Sequence, residues 1–337
     1  KYLETPVHSL LSFLDLCVRP VDVVLLCNAA NSPFAWIPRL RGMPVAINVD
    51  GIERKRAKWN SLGKAWYRLG ERCSTWFASE VIADADVIAE YYQSTYGCAS
   101  SVIRYGFAPR RQEIAEGKAH GSEAWREPLR SGAVFQELGI RPDSYVLYVS
   151  RLEPENNAHR VIEAYVGLPD DVKAAYPLVI VGDAPYAKRY IEALRSNADE
   201  HVRFAGFRFG DAYDDLQLGA RLYVQATEVG GTHPALVEAM GFANCIIVNQ
   251  TPENSEVIAG CGREYPRNDV VELRAELARC LQDDALLGEL RNRAWKRARA
   301  AFAWDVITSD YEKLLDLLVR RQVRRSAPDD VFRTPPS

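Results

Sequence analysis

The sequence lacks the features that mark membrane-spanning, disulfide-stabilised and metal-binding proteins. No stretch of the 337 residues approaches the ~18 to 20 uninterrupted apolar residues that a bilayer span requires. The seven cysteines are odd in number and scattered, without a C-x-x-C pair, which fits a reducing cytosol and argues against a disulfide framework or a zinc site. There is no His/Cys/Asp grouping with ligand spacing, so we expect neither a metal nor another cofactor.

The chain also lacks an excess of charge of one sign. Its 42 basic and 45 acidic residues give a net charge of -3, which argues against nucleic acid as a partner. One local excess stands out, because residues 39–72 carry nine basic and three acidic side chains, interleaved with tryptophan and tyrosine. Such a stretch could bind anionic lipid headgroups, which would make the protein cytoplasmic and peripheral on the inner face of a membrane. The alternative is an ordinary solvated helix face.

Short β-branched runs alternate with longer helical patterns along the chain. This alternation is typical of parallel sheets with crossover helices, and the length suits two α/β domains. We predict a first, N-terminal Rossmann-like domain at residues 1–108, then a linker with a mobile loop at 109–140. A second Rossmann-like domain follows at 141–302. A C-terminal helix at 303–325 is expected to pack back toward the first domain, before a flexible tail at 326–337.

Residues 222–243, LYVQATEVGGTHPALVEAMGFA, carry the most informative pattern. A strand leads into a loop with Gly230 and Gly231, and a helix then opens with Thr232 near its cap and Pro234 at its first position. Unpaired amides, glycines and the helix dipole make such a turn suitable for phosphate oxygens. Glu238, one turn further on, could accept hydrogen bonds from ribose hydroxyls. The alternative is a glycine-rich turn followed by an ordinary helical glutamate.

A second strand-end loop, SRLEPENN at residues 150–157, is expected at the same edge of the sheet. Its Arg151 could form a charge-assisted fork with a diphosphate. The alternative for Arg151 is a surface ion pair with Glu153 or Glu155, worth only ~0 to 1 kcal/mol. The motif VGDAP adds Gly182 at a further strand end, where a glycine permits close passage beside a ligand.

Taken in order, SRLEPENN, VGD, HVRFAGF and EVGGTHPALVEAMG resemble the nucleotide-sugar-binding half of the retaining family 4 glycosyltransferases of the GT-B fold, from Tyr145 to about Tyr311. In the first half, residues 30–59 and 81–92 are similar to a bacterial branch associated with rhamnosyl transfer from dTDP-rhamnose. The resemblance implies an α/β, GT-B-like fold with two Rossmann-like parallel-sheet domains facing a cleft. By the same comparison, the N-terminal domain is expected to be incomplete.

The resemblance also implies roles for individual residues. Arg151 would bind the donor diphosphate, and Glu238, which matches the second glutamate of the family's E-x7-E motif, would hold the ribose. The first glutamate of that motif falls on Gly230, a departure from the wider family. The family often has a lysine where Asn156 stands. The donor-binding residues would be Asn156, Gly182, Phe207 in the base pocket, and the loop of Val229, Gly230, Gly231, Thr232 and His233. For His233 the alternative is a solvent-facing histidine at the helix cap.

The acceptor side depends on the sequence NVDGIERKR. Asp50 follows a predicted strand and could orient the acceptor hydroxyl or take up its proton. The alternatives are a plain Asp-Gly turn at Asp50, and Glu53 in the same role. The family's favoured mechanism is a front-face displacement in which the leaving diphosphate oxygen helps to deprotonate the acceptor. Arg151, the Gly230 and Gly231 amides and the helix dipole would stabilise the leaving group.

The sequence thus favours a retaining glycosyltransferase without a metal. It would move a deoxyhexose, rhamnose from dTDP-rhamnose, to a saccharide or lipid-linked saccharide in bacterial glycan synthesis. Two alternatives stay open. One is a catalytically silent subunit that binds a nucleotide sugar, which the incomplete N-terminal domain favours. The other is a nucleotide-sugar epimerase of the GT-B type, which would need more acid/base groups than the sequence offers.

Overall fold

The computed structural model describes residues 4–56, 59–107, 111–129 and 132–326 of the chain. The described residues form two compact units, one of those up to residue 104 together with those from residue 305 onward, and one of those between 105 and 304. Apart from Ser326, the tail predicted at 326–337 lies outside the described residues. All seven cysteines fall within the described ranges, and each is a free thiol.

The first unit alternates helices with parallel strands. Its elements are α1 (Glu4–Asp15), β1 (Val24–Cys27), α2 (Trp36–Leu40), β2 (Val45–Val49), α3 (Ser61–Phe77), β3 (Glu80–Ala83), α4 (Asp86–Tyr96) and β4 (Ser101–Val102). The strands form one sheet in the order β1-β2-β3-β4. This arrangement fits the alternation of short β-branched runs with helical patterns that was expected from the sequence. The helix α3 begins at Ser61, and residues 57 and 58 lie outside the described part.

The second unit contains a six-stranded parallel sheet between two layers of helices. Its elements are α5 (Gln112–Ala119), α6 (Ala133–Leu138), β5 (Val146–Val149), α7 (Ala158–Val166), α8 (Asp170–Ala175), β6 (Leu178–Val181), α9 (Lys188–Ser196), β7 (Val202–Gly206), α10 (Asp211–Gly219), β8 (Leu222–Gln225), α11 (Pro234–Gly241), β9 (Cys245–Asn249), α12 (Pro252–Ile258), β10 (Arg263–Tyr265), α13 (Val270–Gln282) and α14 (Asp284–Ala301). The last helix of the chain, α15 (Trp304–Ser326), follows. The predicted α/β class with two parallel-sheet domains is confirmed.

The strands alternate between two buried faces. In β5, Leu147 packs into one hydrophobic cluster, whereas Val146 and Tyr148 pack into the other. Because helices cover both faces, each strand reads as a continuous apolar run in the sequence. This pattern explains why short β-branched runs mark such strands in the sequence. The exception is β10, whose residues Arg263–Tyr265 carry two charged side chains and gave no strand signal.

The order of strands in the second sheet, β10-β9-β8-β5-β6-β7, places a reversal beside β5. This strand pairs with β6 on one side and with β8 on the other, and all three run parallel. The loops that leave the carboxyl ends of β5 and β8 therefore start side by side. In open α/β sheets this reversal creates the crevice in which ligands bind.

The structure corrects the prediction of a linker with a mobile loop at residues 109–140. Within the described residues this segment forms α5, a 3-10 helix at Glu123–Leu129 and α6. Its apolar side chains Ile114, Trp125, Leu129 and Phe135 are buried in the core of the second unit. The prediction failed because the arginines and glycines of the segment suggested a loop, while its apolar residues are spaced over three short helices.

The C-terminal helix α15 belongs to the first unit from residue 305 onward. Its Ile307 and Leu318 are buried together with Ala46 of β2 and Ile82 of β3, on the opposite face of that sheet from Ile47. The hydroxyl of Tyr311 receives a hydrogen bond from the Asn48 amide. The helix thus completes the core of the first unit. None of the described helices is long and apolar enough to cross a membrane.

One close contact gives a test of this packing. Gly70 lies inside α3, where an added Cβ would approach the carbonyl oxygen of Ala29 to 2.4 Å. Because that neighbour is backbone, we expect Gly70→Ala to destabilise the first unit by about 1–3 kcal/mol. Gly288→Ala in α14 is the matched control, because nothing lies within 4 Å of its added Cβ. Removing a helical glycine there should be neutral or stabilising by up to ~1 kcal/mol. Scanning calorimetry measures both variants, and equal effects would contradict this packing.

Candidate functional site

The loops after β5 and β8 are joined by direct hydrogen bonds. The backbone N–H of Glu228 donates to the carbonyl of Glu155 at 3.1 Å. The buried amide of Asn157 donates to the carbonyl of Ala226 at 3.0 Å and to Oε1 of Glu228 at 2.8 Å. These bonds fix the two loops against each other. The structure therefore places the Arg151 loop and the glycine loop at one edge of the sheet, as predicted from the strand order.

Arg151 has a half-exposed side chain, with 49% of its surface accessible. Its Nη2 lies 3.7 Å from Oε2 of Glu153, so the ion pair considered as the alternative role is present, at long range. Glu153 is itself buried and accepts a hydrogen bond from the Tyr186 hydroxyl at 2.6 Å. A loose pair of this kind contributes little and leaves the guanidinium able to reach a ligand.

The side chain of Asn156 was predicted to bind the nucleotide sugar, but in the structure it is bonded within its own loop. Its side chain is buried, and its amide donates to the carbonyl of Arg151 at 2.7 Å. The Tyr148 hydroxyl in turn donates to the carbonyl of Asn156 at 2.6 Å. Asn156 therefore shapes the loop that presents Arg151, and its amide is engaged within that loop.

Gly182 shapes the same loop from the neighbouring strand end. Its φ of +130° is disfavoured for any residue with a side chain, and an added Cβ would lie 1.8 Å from the carbonyl oxygen of Ser150. The backbone N–H of Ser150 donates to Val181 at 3.0 Å. The sequence analysis expected Gly182 to allow close passage beside a ligand. In the structure, the close neighbour of Gly182 is the backbone of Ser150, just before Arg151.

The glycine loop ends at the start of α11. Pro234 occupies the first helical position, and the carbonyl of His233 accepts the first helical bonds, from Leu236 and Val237. His233 is half-buried, and its ring packs so closely over Gly230 that an added Cβ there would lie 2.6 Å from it. Gly231 and Thr232 are buried. A side chain at position 230 would therefore require the His233 ring to move.

Glu238 points one oxygen at a tyrosine that the sequence analysis did not consider. The Tyr213 hydroxyl of α10 donates a short hydrogen bond to its Oε2. Burial raises the pKa of Glu238, the bond from Tyr213 opposes this rise, and the charge of Asp214 adds to it. Tyr213 could not be identified from the sequence, because the contact joins two helices 25 residues apart and neither helix pattern marks it.

The aromatic residues after β7 form an exposed pair. Phe207 and Phe209 are 49% and 80% exposed, and their rings stack with centroids 6.0 Å apart. Since β7 is the third strand from β8, this pair lies roughly 14 Å from the glycine loop along the sheet edge. The exposed ring faces are suited to stacking against another flat group. Phe209, like Tyr213, was not predicted.

Asp50 lies in the first unit, directly after β2. Its side chain is exposed, yet partial desolvation raises the pKa of its carboxyl, Glu53 raises it further and Arg56 lowers it. Glu53, the alternative to Asp50, forms an ion pair with Arg56 at 2.6 Å. The arrangement leaves Asp50 better suited than Glu53 to accept a proton.

Some basic side chains of residues 39–72 form ion pairs or hydrogen bonds within the first unit. Arg54 pairs with the buried Glu71 and donates to the Tyr91 hydroxyl, and Arg39 donates to the Ser79 hydroxyl at 2.8 Å. Lys58 lies outside the described residues. Five basic side chains of the stretch are exposed: Arg41, Lys55, Lys64, Arg68 and Arg72.

Comparison with protein families gives two matches. The family described as glycosyl transferases group 1 matches residues 133–301. A domain of unknown function, DUF1972, matches residues 20–108.

The relatives by sequence are bacterial mannosyltransferases. O-antigen chain mannosyltransferase B of Escherichia coli is 25% identical over 186 residues, 55% of this chain and 49% of that protein. The serotype-specific mannosyltransferase WbdA of Escherichia coli is 25% identical over 169 residues, 48% of this chain and 20% of that protein. The match thus spans half or less of the length of these relatives.

Solved structures confirm the predicted GT-B fold class. Anabaena HepE in complex with UDP superposes with a TM-score of 0.71 at 18% identity, covering 87% of this chain and 78% of that chain. Sucrose-phosphate synthase from Thermosynechococcus elongatus gives a TM-score of 0.75 at 17% identity, covering 97% and 80%. Since the matching family covers half of the chain, including β5, β8 and α11, the protein belongs to the group 1 glycosyl transferases.

Proposed function

We propose that this protein is a retaining glycosyltransferase of bacterial glycan synthesis. It transfers a deoxyhexose, rhamnose from dTDP-rhamnose, to a saccharide or lipid-linked saccharide acceptor. The observation that carries the proposal is the junction of two loops at the reversal of strand order. This junction brings the loop that carries Arg151 beside the loop that leads into α11.

The chemistry along this edge matches the parts of a nucleoside diphosphate in order. Arg151 and the amides at Gly230 and Gly231 suit the diphosphate, and Glu238 suits the ribose hydroxyls. Phe207, roughly 14 Å away, suits the base. That distance is comparable to the length of an extended nucleotide, so one ligand could reach all three parts.

Transfer with retention proceeds by front-face displacement in this proposal. The bond between the anomeric carbon and the diphosphate oxygen breaks while the acceptor oxygen bonds to the same face of the sugar. The acceptor proton passes to the leaving diphosphate oxygen, with Asp50 orienting the hydroxyl. Arg151 and the start of α11 accelerate the reaction to the extent that they bind the departing diphosphate more tightly than the intact donor.

The identity of the transferred sugar is the most specific part of the proposal. One relative is named an O-antigen chain mannosyltransferase and another a serotype-specific mannosyltransferase, and both names support hexosyl transfer to a growing glycan. Calorimetric titration with dTDP, UDP and GDP, followed by turnover of dTDP-rhamnose and GDP-mannose, separates the options. Binding of dTDP with transfer from dTDP-rhamnose is expected. Nucleotide binding without transfer would favour a silent partner subunit, and release of an altered nucleotide sugar would favour an epimerase.

Contact with an anionic membrane is part of the proposal for a lipid-linked acceptor. Two apolar side chains of α2, Trp36 and Leu40, are 44% and 78% exposed beside the exposed Arg41. Such a mixture of basic and large apolar groups suits the interface of an anionic bilayer. We expect the protein to sediment with phosphatidylglycerol-containing vesicles and to stay in the supernatant with phosphatidylcholine alone. Equal partition in both would contradict membrane contact.

Removing the carboxylate of Glu238 tests the ribose role. Glu238→Ala should weaken dTDP binding by more than ~1 kcal/mol, because a charge-assisted hydrogen bond is lost. The control is Glu192→Ala, which removes the same charge from an exposed position on α9. Isothermal titration of both variants decides the matter. Affinity that is unchanged in Glu238→Ala, or lowered equally in the control, would remove the ribose role.

Replacing Asp50 separates chemistry from nucleotide binding. Asp50→Asn keeps the size of the side chain and removes its charge, so we expect a loss of transfer rate of about 10²-fold or more with unchanged dTDP affinity. Asp22→Asn, at an exposed position before β1, is the control. Steady-state kinetics and titration measure the two effects. A parallel loss of rate and dTDP affinity would identify Asp50 as a structural residue.

A further inference from the structure

A chain of buried and partly buried hydrogen bonds ends at Glu238. It begins at Lys118 of α5, which is 2% exposed. The Lys118 Nζ donates to the carbonyls of Leu218 and Ala220 at 2.8 Å and to Oδ1 of Asn244 at 2.6 Å. Because Leu218 and Ala220 lie at the end of α10, the lysine satisfies carbonyls that a helix end leaves without helical partners.

The next link fixes the orientation of an amide. The Asn244 Nδ2 donates to the backbone carbonyl of Gln217 at 3.0 Å and to its side-chain Oε1 at 3.3 Å. A backbone carbonyl can only accept a hydrogen bond, so Asn244 must turn its NH2 toward Gln217 and its oxygen toward Lys118. This orientation holds whatever the charge of Lys118, the pKa of which burial lowers strongly and Arg291 lowers further.

The orientation of Asn244 sets the direction of every later bond. Since Oε1 of Gln217 accepts from Asn244, its Nε2 is the group that donates to the Tyr213 hydroxyl, at 2.9 Å. The Tyr213 oxygen accepts that bond, so its own hydrogen is directed at Oε2 of Glu238. Tyr213 stays protonated, because burial and the charge of Glu238 both raise its pKa. Every hydrogen bond in this series is therefore donated in the direction of Glu238, and Glu238 is the final acceptor.

We infer that Tyr213 is a positioning residue that holds Glu238 as a hydrogen-bond acceptor for the ribose of a nucleoside diphosphate, with its donor direction set by Gln217 and Asn244. The inference rests on the proposed function of the site. Among the described residues, no hydrogen bond to Oε1 of Glu238 is recorded, so this oxygen can accept from a ribose hydroxyl while Oε2 is held by Tyr213.

The arrangement also counters an electrostatic problem. Burial and the charge of Asp214 raise the pKa of Glu238. Tyr223 of β8 is a further titratable group nearby, and the charge of Glu238 contributes to its raised pKa. A protonated Glu238 would lose part of its capacity to accept bonds from a diol. The Tyr213 bond stabilises the ionised form and so lowers the pH at which ribose binding is lost.

The first measurement needs no nucleotide. With 13C-labelled glutamate carboxyls, and the Glu238 signal assigned from Glu238→Gln, the Glu238 pKa should rise by about one unit in Tyr213→Phe. The control is Tyr165→Phe, which removes another buried hydroxyl that donates to the backbone carbonyls of Lys173 and Tyr176. Gln217→Met should give a smaller rise, because the Tyr213 hydroxyl remains but loses its orienting donor. An unchanged pKa in Tyr213→Phe overturns the inference, and an unchanged pKa in Gln217→Met alone overturns the directing role of Gln217.

The second measurement connects the carboxyl to the ligand. Titration with dTDP between pH 5 and 8 should show affinity falling as Glu238 becomes protonated, and in Tyr213→Phe the midpoint of this fall should move up by the shift seen in the carboxyl titration. A loss of affinity by one factor at all pH values would mark Tyr213 as merely structural and overturn the inference. If the carboxyl shift is present but the wild-type chain binds none of dTDP, UDP and GDP, the ribose assignment and the proposed function fail, while the effect of Tyr213 on Glu238 stands.

Discussion

The hydrogen bond between the backbones of Glu228 and Glu155 is the contact on which the account of this site depends. It exists because β5 and β8 are neighbours in the sheet although more than seventy residues separate them in the chain. Two loops that leave adjacent parallel strands must run over the same edge, and Asn157 ties them together from below. The loop that carries Arg151 and the loop that leads to the glycine turn are thereby held side by side.

Rigidity at this surface comes from buried polar groups around α10. The last carbonyls of this helix are bound by Tyr145, Asn244 and Lys118, so the helix end is held by donors from three separate segments. The same helix carries Tyr213 and directly follows the Phe207 and Phe209 pair. One anchored helix therefore connects the aromatic end of the edge to the Glu238 carboxylate. Buried networks that are fully satisfied in this way favour a single well-defined geometry.

The sequence predicted the parts of the fold that depend on local pattern. Buried parallel strands such as β6 and β9 are continuous apolar runs, and helices such as α4 have a regular apolar face, so the alternation of the two is visible in the sequence. The short helices at residues 112–138 were missed because Trp125 and Phe135 become buried only through contacts with distant parts of the chain. The same reason explains Tyr213, whose bond to Glu238 depends on the packing of two helices and has no signature in either.

The most direct test of the account is hydrogen–deuterium exchange of the full chain with and without dTDP. If the loops after β5 and β8 form one diphosphate site, amides in residues 150–157 and in residues 229–238 should both exchange more slowly when dTDP is bound. Phosphate held by only one of the loops would slow exchange in that loop alone. Slower exchange in only one of these segments, or in neither, would contradict the claim that the two loops bind one ligand.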